Sequence, residues 1–151
     1  MHIPFRRRFL YRAVAGTAVA TFAPSSMLSA TEDSSTKGAE SLEHQFYSAA
    51  LSMKRLAESW GDQPYGAVLV FGGRIIGEGP SRVVKLADPS AHAEREAIRD
   101  AQRKLGRDSL AGSLLYSTAR PCRVCEIAAA RAGVARMIVG PELQDAGRPS
   151  A

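Results

Sequence analysis

The chain has 151 residues, 45% of them hydrophobic and 23% charged, the proportions of one soluble globular domain rather than of a disordered or membrane-embedded chain. Its two cysteines exclude a disulfide-stapled scaffold and a four-thiolate iron–sulfur protein, and leave a metal site or a redox pair open. The formal charge of +5 overstates any pull on nucleic acid: Arg6, Arg7, Arg8 and Arg12 lie in the first 30 residues, which hold no acid, and the remainder is close to neutral.

Residues 1–30 read as an export signal. Arg6-Arg-Arg-Phe-Leu10 is followed by the weakly apolar run Ala13 to Phe22, by Pro24, and by small residues ending in Leu28-Ser-Ala30. Paired arginines followed by Phe-Leu resemble a bacterial twin-arginine signal, which implies delivery to the periplasm or beyond the cell. An uncleaved anchor helix is the alternative, but the run is shorter than the ~20 residues that span a bilayer. Cleavage after Ala30 would leave no stable membrane anchor. Residues 31–40 are polar and expected to be a flexible linker, and residues 41–151 the folded catalytic domain.

From Leu42, apolar residues recur at helical spacing through Phe46, Ala49, Met53, Leu56 and Trp60, with Trp60 read as core and Gly61 at the helix end. Tyr65 to Phe71 is an apolar β-type run, Gly72-Gly73 a hairpin turn, and Arg74 to Gly79 the returning strand, which Val83 and Val84 would extend. Tyr65 is read as core or pocket lining. After a loop over 85–90, Ala91 to Lys104 reads as a helix stopped at Gly106, Ser113 to Ser117 as a third strand, Pro121 to Arg131 as a helix, and Arg136 to Gly140 as a fourth strand. The expected fold is a three-layer α/β/α sandwich with helices on both faces of one mixed sheet.

Two helix starts carry the chemistry. His92 and Glu94 open one, Cys122 and Cys125 the other, directly after Pro121. One imidazole and two thiolates make the three-ligand set of a catalytic Zn2+ that keeps a fourth position open. Thiols in a first helical turn are favoured as thiolates by the helix dipole and free N–H groups. Glu94, two residues from His92, can exchange a proton with a zinc-acidified water without being a ligand.

His-x-Glu followed by Pro-Cys-x-x-Cys is the signature of the zinc-dependent cytidine and nucleobase deaminases, which the chain resembles. Further segments resemble the purine-acting branch, which holds bacterial tRNA adenosine deaminases and guanine deaminases: Pro64-Tyr-Gly-Ala-Val-Leu-Val70, Ile76-Gly-Glu-Gly79, Asp88-Pro-Ser-Ala-His-Ala-Glu94, Ala97-Ile-Arg99, Leu115-Tyr-Ser-Thr118 and Ala132 to Gly140. The likeness covers about residues 42–140. It implies a cytidine-deaminase-like fold in which His92, Cys122 and Cys125 hold Zn2+, Glu94 shuttles protons, and Ala67, Ser81, Ala93 and Arg120 contact a small base, nucleoside or nucleotide, most simply a purine.

Three departures bear on the substrate. Ser81 stands where the family usually places an Asn whose amide meets the substrate. Arg120 stands where Glu is common, which adds positive charge at the pocket mouth and favours an anionic substrate. The chain ends soon after Gly140, so a C-terminally shortened domain lacking a fifth strand and terminal helices is expected. An export signal and this shortening argue against an RNA substrate. The uncovered edge of the fourth strand, with the family's habit of pairing through its metal-bearing helices, implies a homodimer with Ala128, Ala129 and Ala130 in close contact.

Other readings compete. Cys-x-x-Cys at a helix start also suits a thiol–disulfide oxidoreductase, which would leave His92 and Glu94 unexplained and lacks the usual Trp before the first Cys. A catalytically inactive zinc-binding protein of the same fold is the second alternative. His44 reads as an exposed helix residue. Arg95, Arg99, Arg103, Lys104 and Arg107, interspersed with Glu96, Asp100 and Asp108, read as a solvated helix face rather than a nucleic-acid stripe.

Overall fold

The structure, a computed structural model, describes residues 33–151, so the expected export signal lies outside the described residues. In chain order the elements are α1 (Asp33–Ser59), β1 (Gly66–Phe71), β2 (Arg74–Pro80), α2 (Ala93–Leu105), β3 (Leu114–Ser117), α3 (Arg123–Ala132), β4 (Arg136–Val139) and β5 (Gln144–Gly147). They form one mixed five-stranded sheet of order β2-β1-β3-β4-β5, in which only β3 and β4 run parallel, joined by α3. Alternation along the strands splits the core between two faces. Val68, Val70 and Tyr116 meet Phe46 and Ala50 of α1, with the Phe46 and Tyr116 rings 5.4 Å apart. Ala67, Leu69 and Leu115 on the other face meet Ala93, Ala97 and Ala101 of α2 and Ala129 and Ala132 of α3. The three-layer expectation holds.

Glycines let the helices sit close to the sheet. A Cβ on Gly79 would run into the Ala93 carbonyl and the Ala97 N–H, and one on Gly66 into Ala50 and Lys54 of α1. Because Gly79 faces the first turn of α2, the start of that helix lies directly on β2.

Five expectations are corrected. Residues 33–40, placed in a flexible linker, belong to α1. Val83 and Val84 do not extend β2, which ends at Pro80, where proline offers no N–H to a ladder; the Val84 and Lys85 N–H groups go to Asp62. A fifth strand exists: β5 pairs antiparallel with β4 and covers the edge from which the dimer was argued. Trp60 is only half-buried, because its ring carries the Lys85 ammonium 3.4 Å from its centroid and Arg82 at 5.7 Å. Glu96 is buried, between Arg99 at 2.7 Å and Arg82 at 3.8 Å, whereas Asp100, Arg103 and Lys104 form the expected surface ion pairs. Among the described residues no helix is long and apolar enough to cross a membrane.

Candidate active site

Helices α2 and α3 start side by side, each on a residue of the predicted metal set. His92 and Cys122 are the N-cap residues, both extended (φ −66°, ψ 151° and φ −72°, ψ 166°), and neither side chain caps its helix. Ordinarily an N-cap side chain accepts a first-turn N–H; here both are left for other work. The Cys125 sulfur, one turn into α3, completes a triangle. His92 Nδ1 lies 3.6 Å from Cys122 Sγ and 3.5 Å from Cys125 Sγ, and the two sulfurs are 3.4 Å apart. Three donors about 2.0–2.3 Å from one ion in tetrahedral directions have separations of this size, and no other group of three His, Cys, Asp or Glu residues among the described residues could hold a metal.

The donor chemistry suits a cation. Burial pushes the Cys125 thiol well up, and the neighbouring Glu94 carboxylate and Cys122 push it further. Such a sulfur becomes a thiolate when a positive ion is bound beside it. Both cysteines are free, and the contact of each with His92 is a ligand arrangement that thiol–disulfide exchange does not require, so the redox alternative gains no support.

Glu94 is 7% exposed. Burial raises its carboxyl above the ordinary value, partly opposed by its own backbone N–H, by Cys125 and by His92. It lines a cavity of about 220 Å3 together with His92, Ala93, Cys122, Gln63, Tyr65, Ala119 and Arg120. Ala93 and Arg120 therefore line the cavity, and so does Tyr65, which is not in the core. Ala67 and Ser81 are not lining residues. Ala67 is fully buried in the α2 face of the core, and Ser81 is fully buried with its hydroxyl donating to Asp62 Oδ1 at 2.9 Å.

Sequence reasoning missed Gln63 and Asp62. Besides Ser81, Asp62 accepts the N–H groups of Gln63 (2.8 Å), Val84 (2.9 Å) and Lys85 (2.8 Å). It thereby ties the cavity wall at Gln63 and Tyr65 to the loop that leads into His92. Arg82 N–H to the Ala91 carbonyl, at 2.9 Å, closes that loop at its base. Burial works to raise the Asp62 carboxyl, but the hydrogen bonds from Lys85, Gln63, Ser81 and Val84 outweigh it and hold it below the ordinary value.

Residues 40–141 match the family described as the cytidine and deoxycytidylate deaminase zinc-binding region. The chain belongs to this family. Zinc is thus its metal, and His92, Cys122 and Cys125 are positioned to hold it. The tRNA-specific adenosine deaminase of Buchnera aphidicola (Baizongia pistaciae strain) is 34% identical over 100 residues, 66% of this chain and 62% of that protein. Guanine deaminase of Bacillus subtilis is 47% identical over 62 residues, 41% of this chain and 40% of that one. Among solved structures, one from a study of A-to-I editing by tRNA:A34 deaminases superposes with TM-score 0.62 at 40% identity, covering 64% of this chain and 70% of the other. The Bacillus subtilis guanine deaminase structure superposes with TM-score 0.61 at 35% identity, covering 64% and 62%. The chain spans less than two thirds of the length of the first relatives it matches, 62% and 64%.

Proposed function

We propose that the domain is a zinc-dependent hydrolytic deaminase of a nucleobase, nucleoside or nucleotide, with a purine-type ring favoured by its relatives. The observation that carries this reading is a buried carboxylate, Glu94, lining a cavity beside a three-donor metal set. Bound zinc supplies Lewis acidity that makes water a nucleophile near neutral pH. Glu94 accepts a proton from the attacking water and hands it to the departing nitrogen. The ring carbon gains an oxygen, its exocyclic C–N bond breaks, and ammonia leaves. Desolvation of Glu94, which favours its protonated form, suits a group that must give the proton back.

Glu94→Ala is expected to keep zinc and fold while abolishing ammonia release from guanine, adenine, cytosine or their nucleosides; retained turnover would break the mechanism. His92→Ala or Cys122→Ser is expected to lose the metal in elemental analysis. Arg99, Arg103 and Lys104 are engaged with acids, which supports a small substrate rather than a nucleic acid. A homodimer and export of the mature domain complete the reading. Light scattering at micromolar concentration tests the first, and the location of an Arg6→Lys, Arg7→Lys double variant tests the second.

A further inference from the structure

The polar groups around the cavity divide into those that the metal and the proton transfer use and those they leave idle. His92, Cys122 and Glu94 belong to the first set. Gln63, Tyr65 and Arg120 form the second, and among the described residues their side chains have no hydrogen bond or ion pair. Arg120 is the one guanidinium on this wall, with five donors and no acceptor; the Gln63 amide adds two donors. The idle set is rich in donors and carries one fixed positive charge.

The backbone beneath these side chains is held. The Ala119 carbonyl accepts the Ser117 hydroxyl at 2.7 Å, and buried Pro121 fixes the other flank of Arg120. Thr118 and Gly66 bond each other twice, N–H to carbonyl at 3.0 Å and N–H to hydroxyl at 3.1 Å. On the same cavity wall, the Gln63 N–H is fixed by Asp62 and its carbonyl accepts Tyr65 N–H at 2.8 Å. Free side chains on a fixed frame are the arrangement of a recognition surface.

We infer that this cavity takes an amino-substituted heterocycle that bears an anionic group, a carboxylate or a phosphate, whose oxygens are bound by Arg120 with the Gln63 amide beside it. The amino ring rests on the deaminase reading; the anionic group rests on Arg120 alone. At about 220 Å3 the cavity is below the ~300–1,000 Å3 that enclose drug-sized ligands, so it holds one ring system, with the anionic group at the mouth where Arg120 is exposed.

The test compares zinc-loaded protein on neutral and acidic partners: cytosine, guanine and adenine against 5-carboxycytosine and against the 5′-monophosphates of cytidine, guanosine and adenosine. Ammonia release gives kcat/KM, calorimetry gives affinity, and matched zinc content and circular dichroism establish that the variants are folded. One acid is expected to exceed its neutral parent by at least about tenfold in kcat/KM, the worth of one charge-assisted hydrogen bond. That ratio is expected to collapse in Arg120→Gln, to fall below one in Arg120→Glu, and to shrink with added KCl; the preferred acid distinguishes carboxylate from phosphate. Turnover of neutral bases with a ratio near one, or a ratio unmoved by Arg120 substitution, overturns the inference and leaves the deaminase reading standing. Arg120-dependent binding of an acid with no ammonia from any compound does the reverse. Absence of binding by either acid overturns it, as does a short oligonucleotide that competes better than mononucleotides with the same dependence on Arg120.

Discussion

On its inner side the cavity is built by backbone packing. Gly79 admits the Ala93 carbonyl, Ala93 and Ala97 are buried against the sheet, and Glu94 and Cys125 are held with them. On its outer side the frame is tied by hydrogen bonds at Asp62, Ser117 and Thr118 rather than by close packing, and Gln63, Tyr65 and Arg120 project from it exposed. Residue identity is constrained by volume and metal chemistry on the inner side, and by the ligand on the outer side. A family can therefore keep one reaction and vary its substrate by changing rim side chains without disturbing the core.

The largest structural effect is expected from the inner side. Gly79→Ala places a methyl group into the α2 backbone and is expected to cost about 3 kcal/mol of stability, read by urea unfolding; a cost under 1 kcal/mol would show that α2 can slide. Asp62 comes next, as the tie between the two sides. Asp62→Asn keeps the volume but turns an NH2 group toward N–H donors, for an expected loss of about 1–3 kcal/mol. Because the folded-state carboxyl is held below its ordinary 3.8, its contribution is present above that value and lost as pH falls through the lowered one. The gap between wild type and Asp62→Asn is therefore expected to narrow on acidification below pH 3.8, and a gap that widens there would contradict the assignment.

Smaller effects belong to the periphery. Lys85→Ala removes the ammonium over the exposed side of Trp60 and is expected to cost about 0.5–1 kcal/mol in thermal unfolding. Arg120→Gln is expected to change stability by no more than about 0.5 kcal/mol. If Arg120→Gln destabilised as much as Gly79→Ala, the contrast between a packed interior and a free rim would be lost.

The metal site was legible in the sequence because zinc selects residue types, and the spacing of His92, Glu94, Cys122 and Cys125 survives without knowledge of the fold. Four of the five strands and the C-terminal ends of all three helices were legible from periodicity and from Gly61, Gly106 and Gly133, each in the left-handed conformation that ends a helix. Asp62 was invisible for a physical reason: three of its four partners are backbone N–H groups, which every residue but proline offers, so no pattern marks them. β5, Gln144-Asp-Ala-Gly147, has no apolar alternation; it pairs with β4 through Gln144, Asp145 and Gly147 and is held by Arg136 to Asp145. The start of α1 is polar and lacks the stripe that marks the helix from Leu42 onward. Ser81 was placed at the substrate by resemblance, yet its short hydroxyl meets Asp62 instead.

Two helices that begin without side-chain caps would have their N-cap residues joined through a shared ion. His92 and Cys122 are 30 positions apart, whereas Cys122 and Cys125 are separated by three. A bridge between the cysteines would close a loop too small to restrict the unfolded chain much; a metal that also holds His92 closes one that spans α2 and β3 and removes correspondingly more chain entropy. A bound ion would thus act as a cross-link of the polypeptide, and one imidazole would give the domain the long-range staple that its two closely spaced thiols cannot form between themselves.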